Sequence, residues 1–504
     1  MPFWHAATSR GQTPLTVHDR SADLSSRIAS RMRADPGLPH AQPTPAFWQS
    51  PPHPLSGVRS SELPSAAGTV VIGSGITACS LVKALLEKDP HASIVVCEAR
   101  GLASGATGRN GGHLVSSAVR DFSSLRATFG TEIAVKIASF TLENVERVFE
   151  VARECGPEVE EASEIRRVDK VLALRDAAAL GDLEGSLEAF ERHMPEKWRG
   201  QVRLVDRSDL EKNYKLCNIA GGGIAKAGAL WPYRLVASVW SLLLERYPDR
   251  LRIETWTPVT SVSSAPETDY PYLVESRRGD IKAVEVAYCT NGHTGHLLPL
   301  LRGNLYPLRG TMTVQDWGPS FPNQGNSRAV SFYRAGSFDS ATEVYDLGLH
   351  YMQQNGNTGD VFIGGETDGI NGILTSDDSE ISASSLRTLQ SMLSTEFGAE
   401  TWKGGQGPTV KSKWSGIMGF TTDGVPLVGR LPEDATGRRE GGEWIAAGFN
   451  GYGMGNCWLS GEALAGMMRG EDVSGWLPEC YRPDVERLQS LRSNKAAPSL
   501  FARQ

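Results

Sequence analysis

A glycine-rich turn between an apolar strand and an apolar helix constrains the fold of this chain more than any other feature. The segment reads Thr69-Val-Val-Ile-Gly73-Ser-Gly75-Ile-Thr-Ala78. Gly73 permits the tight turn, Gly75 allows a pyrophosphate to approach the backbone, and Ala78 lets the helix pack closely against the strand. The N-terminus of that helix would face the phosphates with free N–H groups. The segment therefore predicts a Rossmann-like unit that binds a dinucleotide.

An acidic residue follows the turn at the spacing that such a site requires. Glu98 comes directly after a second apolar run, Ile94–Cys97, about 20 residues further along the chain. A carboxylate in this position accepts hydrogen bonds from the ribose of the adenosine. A solvated charge at a strand end is the alternative for Glu98, and a fortuitous glycine-rich turn is the alternative for the whole motif. The further contacts predicted around this site are Ile76, Thr77, Ala99 and Arg100.

A second glycine-rich run follows soon after Glu98 and reads Ser104-Gly-Ala-Thr-Gly-Arg-Asn-Gly-Gly-His113. It resembles the D-amino-acid-oxidase-like superfamily of FAD-dependent oxidoreductases, and within it the branch of glycine, sarcosine and γ-glutamylputrescine oxidases. In that family this loop passes along the ribityl chain and the edge of the flavin. A flexible surface loop is the alternative interpretation. The resemblance implies FAD as the cofactor, with contacts from Ala106, Thr107, Arg109, Asn110, Gly111, Gly112 and His113.

Two segments near the C-terminus resemble the other half of the flavin site in that family. Residues 414–429 contain the family's Trp-x-Gly and Thr-x-Asp elements, and Trp444-Ile-Ala-Ala-Gly-Phe-Asn-Gly-Tyr-Gly-Met-Gly455 reads as a strand, a glycine turn and a helix start. N–H groups at that helix start can face the flavin N1–C2=O edge, which becomes negative on reduction. An ordinary strand–turn–helix core is the alternative. The resemblance implies contacts from Asp423, Gly451, Tyr452, Gly453 and Met454, and from Val259, Thr290 and Asn291 in the middle of the chain.

The family oxidises C–N bonds by hydride transfer to flavin N5, and positioning of the substrate is the main task of the protein. The resemblance offers five side chains for the substrate pocket: Trp231, Arg309, His350, Tyr351 and Tyr452. Arg309 could hold a carboxylate with its guanidinium fork, and a structural or flavin-side arginine is the alternative. Core packing is the alternative for Tyr351, Trp231 and Tyr452. No Lys lies between Arg309 and Pro319, where sarcosine-type enzymes place an oxygen-activating lysine, so the electron acceptor is O2 or another carrier.

Composition narrows the class of protein and its partners. The chain has 504 residues and a net charge of −7, without the basic cluster of a nucleic-acid-binding surface. No apolar run reaches the length of a membrane span, and seven scattered Cys without a Cys-x-x-Cys motif predict no metal site. The N-terminus lacks the order of a secretory signal. We expect a cytoplasmic protein with a small-molecule substrate, and a mitochondrial one is the alternative.

The elements and the resemblance together predict an α/β fold, in which a Rossmann-like FAD-binding domain is interleaved with an α+β substrate domain built on an antiparallel sheet. The predicted segments are an N-terminal extension, partly disordered, at 1–65; FAD-binding segments at 66–125, 221–304 and 406–480; substrate segments at 126–220 and 305–405; and a C-terminal tail at 481–504. Prolines between Pro36 and Pro54 predict an extended, non-helical extension that Phe47 and Trp48 anchor. Pieces of this extension resemble the lead-in of fungal members of the family.

The leading functional hypothesis is an FAD-dependent enzyme that oxidises a C–N bond of an amine or amino acid, with specialised metabolism as one setting. The alternatives are an enzyme that acts on a non-amine metabolite, a dehydrogenase that passes electrons to another carrier, and a flavin-bound scaffold without turnover. An NAD enzyme explains neither residues 104–113 nor residues 414–455. Noncovalent FAD is expected, since no Cys lies near Trp414, and attachment through His113 is the alternative.

Overall fold

Eighteen strands within the described residues form two β-sheets. The computed structural model describes residues 17–265, 269–398, 401 and 408–493. In chain order the strands are β1 Ala66–Ile72, β2 Ile94–Cys97, β3 His113–Leu114, β4 Arg166–Leu174, β5 Val202–Asp206, β6 Gly221–Ala229, β7 Leu251–Glu254, β8 Val259–Ser264, β9 Tyr272–Ser276, β10 Gly279–Tyr288, β11 Leu305–Asp316, β12 Arg328–Tyr333, β13 Ser337–Asp339, β14 Val344–Gln354, β15 Val361–Gly369, β16 Thr409–Thr421, β17 Leu427–Arg430 and β18 Glu443–Ala447.

Helices connect and cover these sheets. They are α1 Val17–Arg33, α2 Ile76–Lys88, α3 Ala118–Phe129, α4 Thr131–Glu154, α5 Pro157–Ser163, α6 Ala177–His193, α7 Arg207–Tyr214, α8 Pro232–Arg246, α9 Thr294–Leu297, α10 Ile370–Ile373, α11 Ala383–Glu396, α12 Glu433–Thr436, α13 Cys457–Met468 and α14 Val485–Ser493. Among the helices in the described part of the chain, none is both long enough and apolar enough to cross a lipid bilayer.

The first sheet has the order β17-β18-β10-β1-β2-β7, and β8 and β9 extend from β10. The strands β18, β10, β1, β2 and β7 run parallel to one another, and β17 is antiparallel at the edge. Strand β1 is buried along most of its length, as expected for a central parallel strand that helices cover. Helix α2 begins directly after the β1 turn. This sheet is the Rossmann-like part of the predicted fold.

The second sheet has the order β16-β11-β15-β14-β12-β4-β6-β3, with β13 beside β14 and β5 beside β6. Its pairs are antiparallel except for β12 with β4. The predicted combination of a Rossmann-like sheet with a largely antiparallel sheet is therefore confirmed. The proposed segments do not each map onto one sheet, since β3 lies within 66–125, β6 within 221–304 and β16 within 406–480, and all three belong to the second sheet.

The N-terminal extension contains a helix that the sequence interpretation did not predict. Helix α1 ends before the first of the clustered prolines, and its Ile28 and Met32 are buried beside Tyr306 and Leu308 of β11. After α1 the chain continues with short 3-10 turns, and Trp48 within it is only 1% exposed. The apolar stripe of α1 is short and its sequence is mostly polar, so tertiary contact with β11 stabilises it more than its own pattern does.

Candidate functional site

The turn between β1 and α2 is shaped as a cradle for a ligand. Gly73 has φ of +107°, which L-residues with a Cβ rarely adopt, and a Cβ there would lie 2.6 Å from the carbonyl oxygen of Cys289. Gly75 caps α2, so the first-turn N–H groups of the helix point into the turn. One of them, the N–H of Ile76, donates to Thr107 Oγ1 at 3.0 Å. The glycine-rich loop that contains Thr107 is thereby tied to the start of the helix.

Glu98 lies beside this turn and is held by several donors. Its Oε2 accepts hydrogen bonds from the backbone N–H of Ser74 at 3.0 Å and from Ser74 Oγ at 2.7 Å. Its Oε1 accepts from the backbone N–H of Arg100 at 2.9 Å. A carboxylate has about four acceptor positions, so one position on Oε1 stays open to a ligand hydroxyl.

One pocket beside α2 brings together most of the predicted dinucleotide residues. Twelve of them line it: Gly73, Gly75, Ile76, Thr77, Glu98, Ala99, Arg100, Ala106, Thr107, Val259, Thr290 and Asn291. Ala78 is fully buried in α2 and does not line the pocket. The sequence interpretation missed several wall residues that come from distant segments, namely Gly37, Leu38, Pro39, His293, Ile417 and Phe449. Ile417 and Phe449 lie inside the two C-terminal segments that resemble the family, and Gly37, Leu38 and Pro39 lie in the N-terminal extension. Nothing in those segments singled out these side chains, because only the fold brings them to the pocket.

The side chain of Arg109 points away from this pocket into a buried ion-pair cluster. The carboxylate of Asp378 pairs with Arg100 at 2.9 Å and with Arg109 at 3.4 Å. Arg109 also donates to the Ser415 carbonyl at 2.6 Å and to the backbone and side chain of Thr44. Burial lowers the pKa of Arg109 to about 10, although Asp378 opposes that effect. The guanidinium groups of both arginines thus fix the glycine-rich loop to other parts of the chain.

The rest of that loop lies against the second sheet. Asn110 Oδ1 accepts from the N–H of Gly112 at 2.7 Å, which closes a tight turn. A Cβ at Gly111 would overlap the ring of Tyr351. His113 contacts the same ring edge-on, with centroids 5.5 Å apart, and burial lowers the pKa of His113 to about 3. Tyr351 is therefore at the face of the second sheet that packs against the predicted flavin loop.

His350 lies on the opposite face of the sheet from Tyr351, because successive side chains of a strand alternate. Its cross-strand partners are Phe332 and Gly365, and Phe332 belongs to the core beneath α11. Burial lowers the pKa of His350 to about 4, and both ring nitrogens lack a hydrogen-bond partner. The prediction that His350 and Tyr351 line one substrate pocket is therefore not supported, and only Tyr351 faces the glycine-rich loop.

Three other predicted residues have structural partners. Arg309 is buried, 3.4 Å from the carboxylate of Asp368, and does not line the pocket. The indole N–H of Trp231 donates to the carbonyl of Trp48 at 2.6 Å. Asp423 pairs with Arg487 of α14 at 2.8 Å.

The glycine turn after β18 brings Tyr452 to a cationic cluster. Gly451 has φ of +79°, and Gly453 and Met454 continue the turn, with the Met454 carbonyl accepting from Asn144 Nδ2 at 2.9 Å. The phenol oxygen of Tyr452 accepts from Arg120 Nη2 at 3.0 Å. Burial raises the pKa of Tyr452, and Arg120 opposes that effect. None of these turn residues lines the pocket beside α2, so the predicted cofactor contacts lie in two separate places.

Arg120 belongs to a group that the sequence interpretation missed entirely. Its guanidinium lies 4.7 Å from the ring centroid of Tyr333, and the ammonium group of Lys170 lies 5.7 Å from the same centroid. Burial acts to raise the pKa of the Tyr333 phenol, but Lys170 and Arg120 outweigh it and lower that pKa. The three residues line a small cavity beside α3, and they come from α3, β4 and β12. The local potential is therefore positive.

The match to a protein-family model shows the family. The family model described as DAO, FAD dependent oxidoreductase, matches residues 69–467. No curated protein matches the sequence.

Solved structures share the fold at low sequence identity. Glycine oxidase from Geobacillus kaustophilus is 16% identical, covers 84% of this chain and 99% of its own, and has a TM-score of 0.62. L-proline dehydrogenase from P. horikoshii is 17% identical, covers 84% of this chain and 98% of its own, and has a TM-score of 0.61. L-amino acid deaminase from Proteus vulgaris is 15% identical, covers 84% of this chain and 98% of its own, and has a TM-score of 0.59. Since the family model spans most of the chain, this protein belongs to the DAO family and is an FAD-dependent oxidoreductase.

Proposed function

We propose that this enzyme oxidises a C–N bond of a substrate that also carries a carboxylate, that is, an amino acid or a close analogue. The named activities of the similar structures support a C–N bond, because they include a glycine oxidase, a proline dehydrogenase and an amino acid deaminase. The cationic side chains of Arg120 and Lys170 beside Tyr333 support a substrate that carries a carboxylate. Each part of the proposal rests on its own observation and can fail separately.

The pocket beside α2 fits the adenosine diphosphate part of FAD. Gly73 and Gly75 line this pocket, so a pyrophosphate can approach their backbone, and the N-terminus of α2 attracts its negative charge. The open acceptor position on Glu98 suits a ribose hydroxyl. We propose that Val259, Thr290 and Asn291 line the same part of the cofactor.

We propose that the flavin end of FAD lies between the glycine turn after β18 and the sheet face that carries Tyr351. Bound FAD supplies a two-electron acceptor for the substrate hydride. The turn of Gly451, Tyr452, Gly453 and Met454 precedes α13, whose N-terminus can stabilise negative charge that develops nearby.

The burial of Lys170 is the observation that supports a substrate with a carboxylate. Lys170 is only 3% exposed, and within the described part of the chain no carboxylate forms an ion pair with it. Its polar partner is the phenol of Tyr333, which hydrogen-bonds to it and whose pKa it lowers. A buried cation without a counter-ion is unfavourable. Arg120 lies on the same small cavity but already has a partner, Asp121, at 2.7 Å. A substrate carboxylate would supply the missing charge for Lys170.

This arrangement orients the substrate rather than removing a proton from it. The carboxylate would contact the ammonium group of Lys170, with Arg120 beside it. The phenols of Tyr333 and Tyr452 would exclude water on either side of the α-carbon. A fixed orientation of this kind can supply a large part of the rate enhancement.

The test is anaerobic reduction of the flavin, followed by absorbance in a stopped-flow instrument. Matched pairs of substrates differ only in the carboxylate: proline and pyrrolidine, or alanine and ethylamine. We expect the amino acids to bleach the flavin at lower concentration. In Lys170→Met the apparent Kd for the amino acids should rise about 10- to 100-fold, since a charge-assisted hydrogen bond contributes about 1.5–3 kcal/mol. The Kd for the amines should stay unchanged.

Lys212→Met is the matched control, because Lys212 is exposed on α7 and the same charge is removed. Equal weakening of amines and amino acids in Lys170→Met would refute the carboxylate site while leaving C–N oxidation intact. Reduction by hydroxy acids alone would refute C–N oxidation itself. Admission of air to the reduced enzyme then distinguishes an oxidase, which regains its colour quickly, from a dehydrogenase.

A further inference from the structure

We propose that residues 35–49, hereafter the strap, are part of the cofactor site and must leave it before FAD can dissociate. The strap precedes residues 69–467, which match the family model. Yet its Gly37, Leu38 and Pro39 line the same pocket as Gly73 and Glu98. One wall of the cofactor pocket therefore comes from a segment that the family match does not include.

The first half of the strap is fastened to the rim of the pocket by several polar contacts. Asp35 pairs with Arg302 at 2.6 Å and with His296 at 3.1 Å. The carbonyl of Gly37 lies 3.1 Å from Nδ1 of His293, a residue that also lines the pocket. The Pro36 carbonyl accepts from Ser376 Oγ at 2.6 Å. These contacts hold the first half of the strap against the lining of the pocket.

The second half of the strap supports the glycine-rich loop. Gln49 Nε2 donates to the carbonyls of Ser104 and Gly108 at 3.1 and 3.0 Å. The indole N–H of Trp48 donates to the carbonyl of Asn110 at 2.5 Å. Trp48 also stacks on Phe362 of β15, with centroids 3.8 Å apart and planes 5° apart.

These contacts connect cofactor retention to docking of the strap. The glycine-rich loop supplies Ala106 and Thr107 to the pocket. The strap therefore forms one wall of the pocket and also holds the loop that forms the neighbouring wall. A dinucleotide held between these walls would lose contacts with both of them when the strap detaches. The first half of the strap is held mainly by polar contacts, whereas the turn of Gly73 directly follows β1, a buried strand of the first sheet. We therefore infer that the strap opens first.

The test is the rate of FAD dissociation from the full chain, measured by the rise in flavin fluorescence after dilution. In Gly37→Ala the new Cβ meets no atom within 4 Å, but the residue has φ of +65°. The substitution therefore strains the docked strap without filling the pocket. We expect dissociation about 5- to 30-fold faster, the factor that corresponds to roughly 1–2 kcal/mol of left-handed backbone strain.

Gly470→Ala is the matched control. Gly470 has φ of +77° and equally open surroundings, and it lies beyond the C-terminal end of α13, whereas Cys457 at the start of that helix lines the pocket. Its dissociation rate should stay within twofold of wild type. A second variant, Gln49→Ala, removes two hydrogen bonds to the loop and should also accelerate release, so the test stands if Gly37→Ala does not fold. Wild-type rates in both strap variants, or equal acceleration in Gly470→Ala, would overturn the proposal.

Discussion

Replacement of Glu366 by glutamine should change the pH dependence of stability in a calculable way. Glu366 is 4% exposed, its Oε1 accepts from Ser385 Oγ at 2.9 Å, and its Oε2 is buried without a partner. Burial raises its pKa from 4.5 to about 8, although Ser385 and Arg309 act in the opposite direction. The folded protein thus holds this carboxyl group protonated at neutral pH.

The number of protons bound in the folded and unfolded states determines whether stability rises or falls with pH. Below pH 4.5 the group is protonated in both the folded and the unfolded chain, so it adds no pH dependence to the free energy of unfolding. Between pH 4.5 and 8 only the folded chain keeps the proton, and stability falls as pH rises by about 1.4 kcal/mol per pH unit. Above pH 8 both states are ionised and no further stability is lost. Over the whole interval the loss is of the order of 5 kcal/mol.

Glutamine resembles the protonated carboxyl group but does not titrate. The difference in unfolding free energy between Glu366→Gln and wild type should therefore increase by about 4 kcal/mol from pH 5 to pH 8. Urea unfolding at each pH, at one fixed FAD concentration, measures it. Glu184→Gln is the control, because Glu184 is exposed on α6, and the change with pH should be much smaller in this variant than in Glu366→Gln. A flat difference in Glu366→Gln would show that Glu366 ionises in the folded state, and would refute the reasoning.

Two further predictions concern the buried contacts of the glycine-rich loop. Asp378→Asn leaves Arg100 and Arg109 buried without their shared counter-ion, and should reduce the free energy of unfolding by about 3–5 kcal/mol together with FAD occupancy. A loss below about 1 kcal/mol in urea unfolding would contradict this. Gly111→Ala places a methyl group against the ring of Tyr351 and should destabilise the protein by about 1–3 kcal/mol. Much of that loss should disappear when Tyr351→Leu is added, and simple additivity of the two substitutions would argue against the contact.

Local motifs made the cofactor and the family predictable from sequence. The turn of Gly73 and Gly75 needs a particular backbone conformation and a close approach to the phosphates, and only certain residues permit these at fixed spacing. Glu98 follows at a distance that one βαβ unit sets. Requirements of this kind act between near neighbours in the chain, so the sequence displays them directly. The two-sheet architecture followed from the same motifs and from the family resemblance.

Tertiary structure decided where the individual side chains act. Alternation along β14 shows that His350 and Tyr351 lie on opposite faces, but only pairing with β12 and β15 determines which face meets the glycine-rich loop. The partner of Arg109 is Asp378, far away in sequence.

The cavity lined by Arg120, Lys170 and Tyr333 is formed by residues of one helix and two strands. The strap lines the cofactor pocket although it lies outside the residues that match the family model. Burial, counter-ions and cavities are properties of packing between distant segments. They exist only after the chain has folded, and no local pattern encodes them.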